Sequence, residues 1–160
     1  MMLRDIQPHS PPVGEQDVLA LEKKHGVCLP HQYKLFLLQN NGGRPSPSLF
    51  PIHGLHNNRD GNIQTFFGIH DPYETSDLDV VLHAHSESIP QGIIPIACTD
   101  GYDFLVLDCR IRPDSPVYFW DRRHYWGSEE WREVDLYPIA ENFEELLKLL
   151  HSRENEVYGR

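Results

Sequence analysis

The sequence predicts an α+β fold: a mostly antiparallel sheet of about four to six strands packed with N-terminal helices and a C-terminal helix. Three observations predict it. Helical apolar spacing appears early, after Glu15 and again after Pro30. Near-continuous apolar runs separated by turn residues fill 93–120. Last, Phe143, Leu146, Leu147 and Leu150 fall on one helical face near the end. At 160 residues the chain is expected to form one domain over 1–160, with 1–13 as an extended N-terminal arm. A chain of this length can bury about 70% of its unfolded surface without disulfide or metal staples.

Each element has a local reason. Pro8, Pro11 and Pro12 keep the opening segment extended. From Glu15 a helix is expected, with Val18 and Leu21 on its apolar face and Glu15 and Asp17 near the positive end of its dipole. Lys23, Lys24 and His25 crowd its last turn, and Gly26 can take the left-handed stop position. A second helix is expected to start at Pro30, with Tyr33, Phe36, Leu37 and Asn40 on one face and Asn41-Gly42-Gly43 as its stop. The stretch 44–62 is rich in turn residues and holds at most one short strand, near 49–52. Residues 62–69 (NIQTFFGI) read as a strand. Leu78, Val81, Leu82 and His85 suit a helix over about 76–86, capped by Ser76 or Asp77.

The strongest hairpin signal follows. Ile93–Cys98 and Tyr102–Cys109 are apolar runs joined through Thr99-Asp100-Gly101, where Asp-Gly supplies positive φ for a tight reversal. Their lack of alternation predicts strands covered on both faces. Val117–Trp120 (VYFW) reads as the next strand and Trp131–Leu136 as a short one before Pro138. In the closing helix, Asn142 and Glu145 suit a capping box.

Charge restricts the partners. Lys and Arg total 14 against 24 Asp and Glu, a formal net charge of −10 with the ten His neutral. Such a surface repels a phosphate backbone, which excludes direct nucleic-acid binding, and favours a basic protein through long-range steering. No run of about 18 apolar residues supplies a membrane-spanning helix. The first twelve residues lack the basic and apolar stretches of a secretory signal. The three cysteines, Cys28, Cys98 and Cys109, form no CxxC pair; Cys98 and Cys109 lie in apolar runs and read as packed thiols. A reducing compartment, the cytoplasm, is the expected location.

Motifs for chemistry are sparse. On a helix, His83 and His85 stand about 200° apart and point to opposite sides. His53 and His56 sit in a Pro/Gly loop with no nearby Cys or Glu to complete a metal shell. Both pairs read as unliganded surface histidines, and His124 as a loop residue packed on aromatics. There is no GxSxG elbow and no phosphate-cradling glycine loop, since Gly42-Gly43 follows a helix rather than preceding one. No catalytic residue, cofactor or metal is therefore expected. Asp100, Asp103, Asp108, Asp114 and Asp121 suit turn chemistry. Alternatively they form an acidic binding surface with Trp120, Tyr125, Trp126 and Trp131, since aromatic anchors ringed by charge carry protein interfaces. Trp120, inside VYFW, is expected in the core. The partner-binding candidates are Asp100, Asp103, Asp121, Trp126 and Glu129.

From about Val13 to Leu150 the chain resembles the SMI1/KNR4 family of the SUKH superfamily. The resemblance rests on Gly26 with Leu29-Pro30, then Tyr33, Phe36, Leu37 and Asn41-Gly42-Gly43. It continues in Ile94-Pro95-Ile96-Ala97, Gly101 with Asp103, Leu107-Asp108, Val117-Tyr118-Phe119-Trp120-Asp121, and Phe143 with Leu146-Leu147. Tyr102 intervenes where the family often has Gly followed directly by Asp, and 44–86 matches nothing distinctive. The resemblance implies a SUKH-like α+β domain without catalytic residues. It further implies an immunity protein that neutralises a cognate toxin, often a nuclease, by direct binding, as many bacterial members do. Fungal relatives imply a second reading, a regulatory scaffold. A third, independent of the family, is a metal-dependent hydrolase using the histidines and aspartates.

Overall fold

The structure is a computed structural model that describes residues 5–55, 59–122 and 131–153. Among these, strand β1 (Asp5–Gln7) leads to helices α1 (Glu15–His25) and α2 (His31–Asn40). Three strands follow: β2 (Arg44–Ser46), β3 (Leu49–Pro51) and β4 (Asp60–Phe66). After helix α3 (Leu78–Ala84) come β5 (Ile93–Thr99), β6 (Phe104–Asp108), β7 (Val117–Trp120) and β8 (Leu136–Ala140), then helix α4 (Phe143–Leu149). Strands β3 to β8 form one antiparallel sheet in sequence order, and β1 pairs with β2 in a separate ribbon. The predicted α+β class is what the chain adopts.

The sheet is strongly curled. Flat, β3 and β7 would lie about 19 Å apart, four steps of about 4.8 Å. Yet the rings of Phe50 on β3 and Phe119 on β7 stand 6.1 Å apart. Helix α4 accordingly packs against both edge strands, β3 and β8. An aromatic cluster fills the layer between helices and sheet. Phe143 on α4 meets Tyr33 and Phe36 on α2 at 5.2 and 5.0 Å, and Phe36 meets Phe66 on β4 at 5.0 Å. These edge-on and tilted contacts suit the ring quadrupoles. Strand β6 is buried along its whole length and β5 nearly so, as their unbroken apolar character predicts.

Local departures from the expectations have physical causes. Pro30 is the N-cap of α2 rather than its first helical residue, its ψ of 149° being extended. Region 44–62 holds two short strands and the start of β4, because Pro45 pairs with Ile6 of the arm while Leu49–Pro51 pairs back on β4. Helix α3 is shorter than expected. Asp77 caps it, accepting from Val80 N at 3.1 Å, and a 3-10 turn over Glu74–Ser76 takes the residues before it. The strand expected over Trp131–Leu136 lies instead at Leu136–Ala140, after a 3-10 turn over Glu133–Asp135, and it contains Pro138, which an edge strand tolerates. Asn41, not Asn40, is the buried residue at the end of α2, with φ 46°. Gly42 follows at φ 80°, and a Cβ there would stand 2.6 Å from Phe67 O, so the stop signal also needs the missing side chain.

The arm is fastened rather than free. Ser10 donates to Asp71 at 2.7 Å, and His9 sets one ring nitrogen on Asp71 and the other on Thr65. Asp71 also accepts from Tyr73 N at 2.8 Å and from the Ser76 hydroxyl at 3.1 Å. Burial alone would push its carboxyl up, but the hydrogen bonds from Ser10, Tyr73 N–H and His9 outweigh it and hold the group below its ordinary value. Asp108 is also lowered, chiefly by a two-pronged bond from Arg110 at 2.9 and 3.0 Å. A depressed folded pKa gives stability that is complete above the unfolded value of about 4 and is lost as pH falls through the folded one. Acid unfolding followed by fluorescence should therefore steepen below about pH 4. Asp71→Asn should flatten that acid limb, and an unchanged limb would remove Asp71 from the account.

Candidate binding groove

The β5–β6 reversal builds one wall of a groove. Thr99 N donates to Asp103 O at 2.9 Å, Tyr102 N to Thr99 O at 3.1 Å, and Asp103 N to the Thr99 hydroxyl at 3.1 Å. The loop is therefore three residues long, and the positive φ expected of Asp-Gly falls instead on Tyr102, at 66°. A left-handed conformation costs a side-chain-bearing residue roughly 1–2 kcal/mol. It turns the Tyr102 ring into solvent, where it is 76% exposed. Such strain persists only where its surroundings hold it.

Arg122, just after β7, provides that hold. Its Nη1 donates to Tyr102 O at 3.3 Å and its backbone N–H to Asp103 Oδ1 at 2.8 Å. Its guanidinium lies 4.1 Å from the centroid of Phe104 and 5.5 Å from that of Trp120, a cation–π arrangement. His85, just past α3, stands edge-on to the same Phe104 at 5.2 Å. Helix α3 forms the opposite wall with Val80, Val81 and Ala84, and Glu74 and Thr75 complete the rim. The groove is open to solvent on one side, holds about 330 Å³ and is mostly apolar. Val80 at its edge is 38% exposed.

A thiol faces the groove, and its surroundings do not activate it. Cys98 lines it, and burial pushes its thiol up more than nearby Arg122 pulls it down, so the sulfur stays protonated at neutral pH. Cys109 is buried and its thiol is pushed up to about 12, chiefly by burial. Among the described residues no group of three or more His, Cys, Asp or Glu could hold a metal ion. His83, on α3, is exposed, and His85 is half-buried just past the end of the helix rather than on it; His56 and His124 lie outside the described residues.

The candidate residues divide sharply. Asp100 is exposed at the hairpin tip, where its carboxylate accepts from Asn62 Nδ2 at 3.3 Å. Asp103 and Asp121 are 1% and 5% exposed, so their carboxylates face inward; Asp103 positions Arg122 from behind the groove. Their polar type suggested a surface, but both are buried, and the Asp103 carboxylate accepts from the Arg122 backbone N–H. Asp114 is exposed and Asp108 is engaged with Arg110. Trp126 and Glu129 lie outside the described residues. Trp120 is in the core, as expected. Sequence reasoning passed over Tyr102, Val80, Glu74 and Arg122; the available signal was a large aromatic residue in the tightest part of an otherwise polar turn.

The family model described as the SMI1 / KNR4 family (SUKH-1) matches residues 12–149. No curated protein matches the chain. Among the described residues, no helix is long and apolar enough to cross a membrane.

Proposed function

The chain belongs to the SMI1/KNR4 family, whose members are in general protein-binding, immunity-protein-like domains. On that premise we propose that it neutralises a cognate toxin by direct occlusion, without catalysis, in the cytoplasm. The toxin is a basic domain of nuclease type. One observation carries the reading: on a chain of net charge −10, an exposed Tyr102 and an apolar groove stand beside the exposed carboxylates of Glu74 and Asp100. A nuclease presents Lys and Arg to the phosphate backbone, and a carboxylate-bearing wedge meets the same cations. Asp100, Trp126 and Glu129 belong to the contact surface, with Asp103 and Asp121 supporting it from behind.

The test mixes the purified chain with toxin domains encoded beside it, at low and high salt. One stoichiometric complex with suppressed nuclease activity is expected, its association slowing about tenfold or more as ionic strength rises. Absence of any complex at low salt overturns the proposal, and capture of several unrelated proteins assigns the chain to a scaffold instead.

A further inference from the structure

We propose that the groove between α3 and the β5–β6 turn receives one large apolar side chain of the partner, from a segment in which Lys or Arg flanks that residue. This deepens the neutralisation reading and rests on it. The groove holds about 330 Å³, lined by Val80, Val81, Ala84 and Phe104, which suits a single aromatic or branched anchor of the kind that dominates interface energetics. Tyr102 stands at the mouth with its ring in water, while its backbone, held by Arg122 and Thr99, takes a left-handed conformation that disfavours any side chain. A partner's anchor would cover one face of that ring.

Charge decides what surrounds the anchor. Among the described lining residues the one Lys or Arg is Arg122, whose guanidinium is laid on Phe104 and tied to Tyr102 O. Among the described residues, Glu74, on the rim, and Asp100, two residues before Tyr102, place exposed carboxylates at this end of the groove. Cationic neighbours on the partner's segment are therefore attracted and anionic ones repelled.

The groove can be tested without the toxin, by nitrogen–proton NMR of the full chain with three blocked tripeptides at low salt. Lys-Trp-Lys should shift the amides of Val81, Ala84, Tyr102 and Phe104 with millimolar affinity. Glu-Trp-Glu should bind at least about fivefold more weakly, and Lys-Ala-Lys should leave those amides unmoved. Ala84→Trp, at an exposed end of α3, fills the groove and should abolish the Lys-Trp-Lys shifts while the spectrum stays dispersed. The double variant Glu74→Lys with Asp100→Lys should bring Lys-Trp-Lys down to the level of Glu-Trp-Glu. Equal binding of the two tryptophan peptides, or shifts that survive Ala84→Trp, overturns the proposal. So does a concentration-dependent shift of the same amides in the chain alone, which would make a second copy the occupant. Tripeptide binding without toxin capture refutes neutralisation and spares the groove. A toxin complex insensitive to Ala84→Trp does the reverse.

Discussion

Asn41→Leu should cost about 4 kcal/mol of folding stability or more, a large part of the roughly 5–15 kcal/mol available to a domain. The Asn41 amide is 2% exposed and makes three bonds. Its Nδ2 donates to Pro11 O at 2.7 Å and to Ile69 O at 2.8 Å, and its Oδ1 accepts from Ile69 N at 2.8 Å. Leucine has nearly the same size but leaves three main-chain groups unanswered, at about 1–3 kcal/mol for each that stays buried. It also meets a left-handed backbone that Asn tolerates better. Asn41→Gly removes the backbone strain but not the lost bonds, so it should fall only slightly less far. Urea unfolding reads both variants as a drop of roughly 2 M in midpoint. A leucine variant within about 1 kcal/mol of the parent would show that this node does not anchor the arm and the end of α2.

Tyr102→Gly should move stability and binding in opposite directions. Glycine occupies φ 66° without penalty, so relief of the left-handed strain should stabilise the fold by about 1 kcal/mol, less the backbone freedom that glycine adds to the unfolded chain. The same change removes the ring at the mouth of the groove. Loss of an interface aromatic of this kind is worth about 2 kcal/mol or more, roughly thirtyfold in affinity for the toxin. The contrast separates a functional residue from a structural one. A variant that is less stable, with unaltered affinity, would assign Tyr102 to the fold alone.

The legible part of the molecule was the part ruled by periodicity and caps. Val18 and Leu21 placed α1, and Gly26 ended it in the left-handed conformation expected. The Asn142 side chain caps α4 by accepting from Glu145 N at 2.9 Å. The runs around Ile96 and Val106 gave adjacent buried strands. The illegible parts depend on distant partners. Nothing local in Arg44–Ser46 announces a strand, because its partner is the arm. Pro138 reads as a stop until β7 is found beside it. The groove was hidden for the same reason: α3 and the β5–β6 turn are separate in sequence, and only the fold sets Val80 and Ala84 across from Tyr102 and Arg122. Asp103 and Asp121 misled as surface charges, since composition cannot tell a solvated carboxylate from one bonded inward.

On the proposed reading the protein acts by covering a basic partner with the face that carries the groove. Hydrogen exchange of the chain, alone and saturated with the captured toxin domain, addresses it most directly. The account predicts slowed exchange across residues 74–84 and 98–104, with the outer faces of α1 and α2 unchanged. Protection confined to α1 and α2, with the groove residues exchanging as in the free chain, would contradict it.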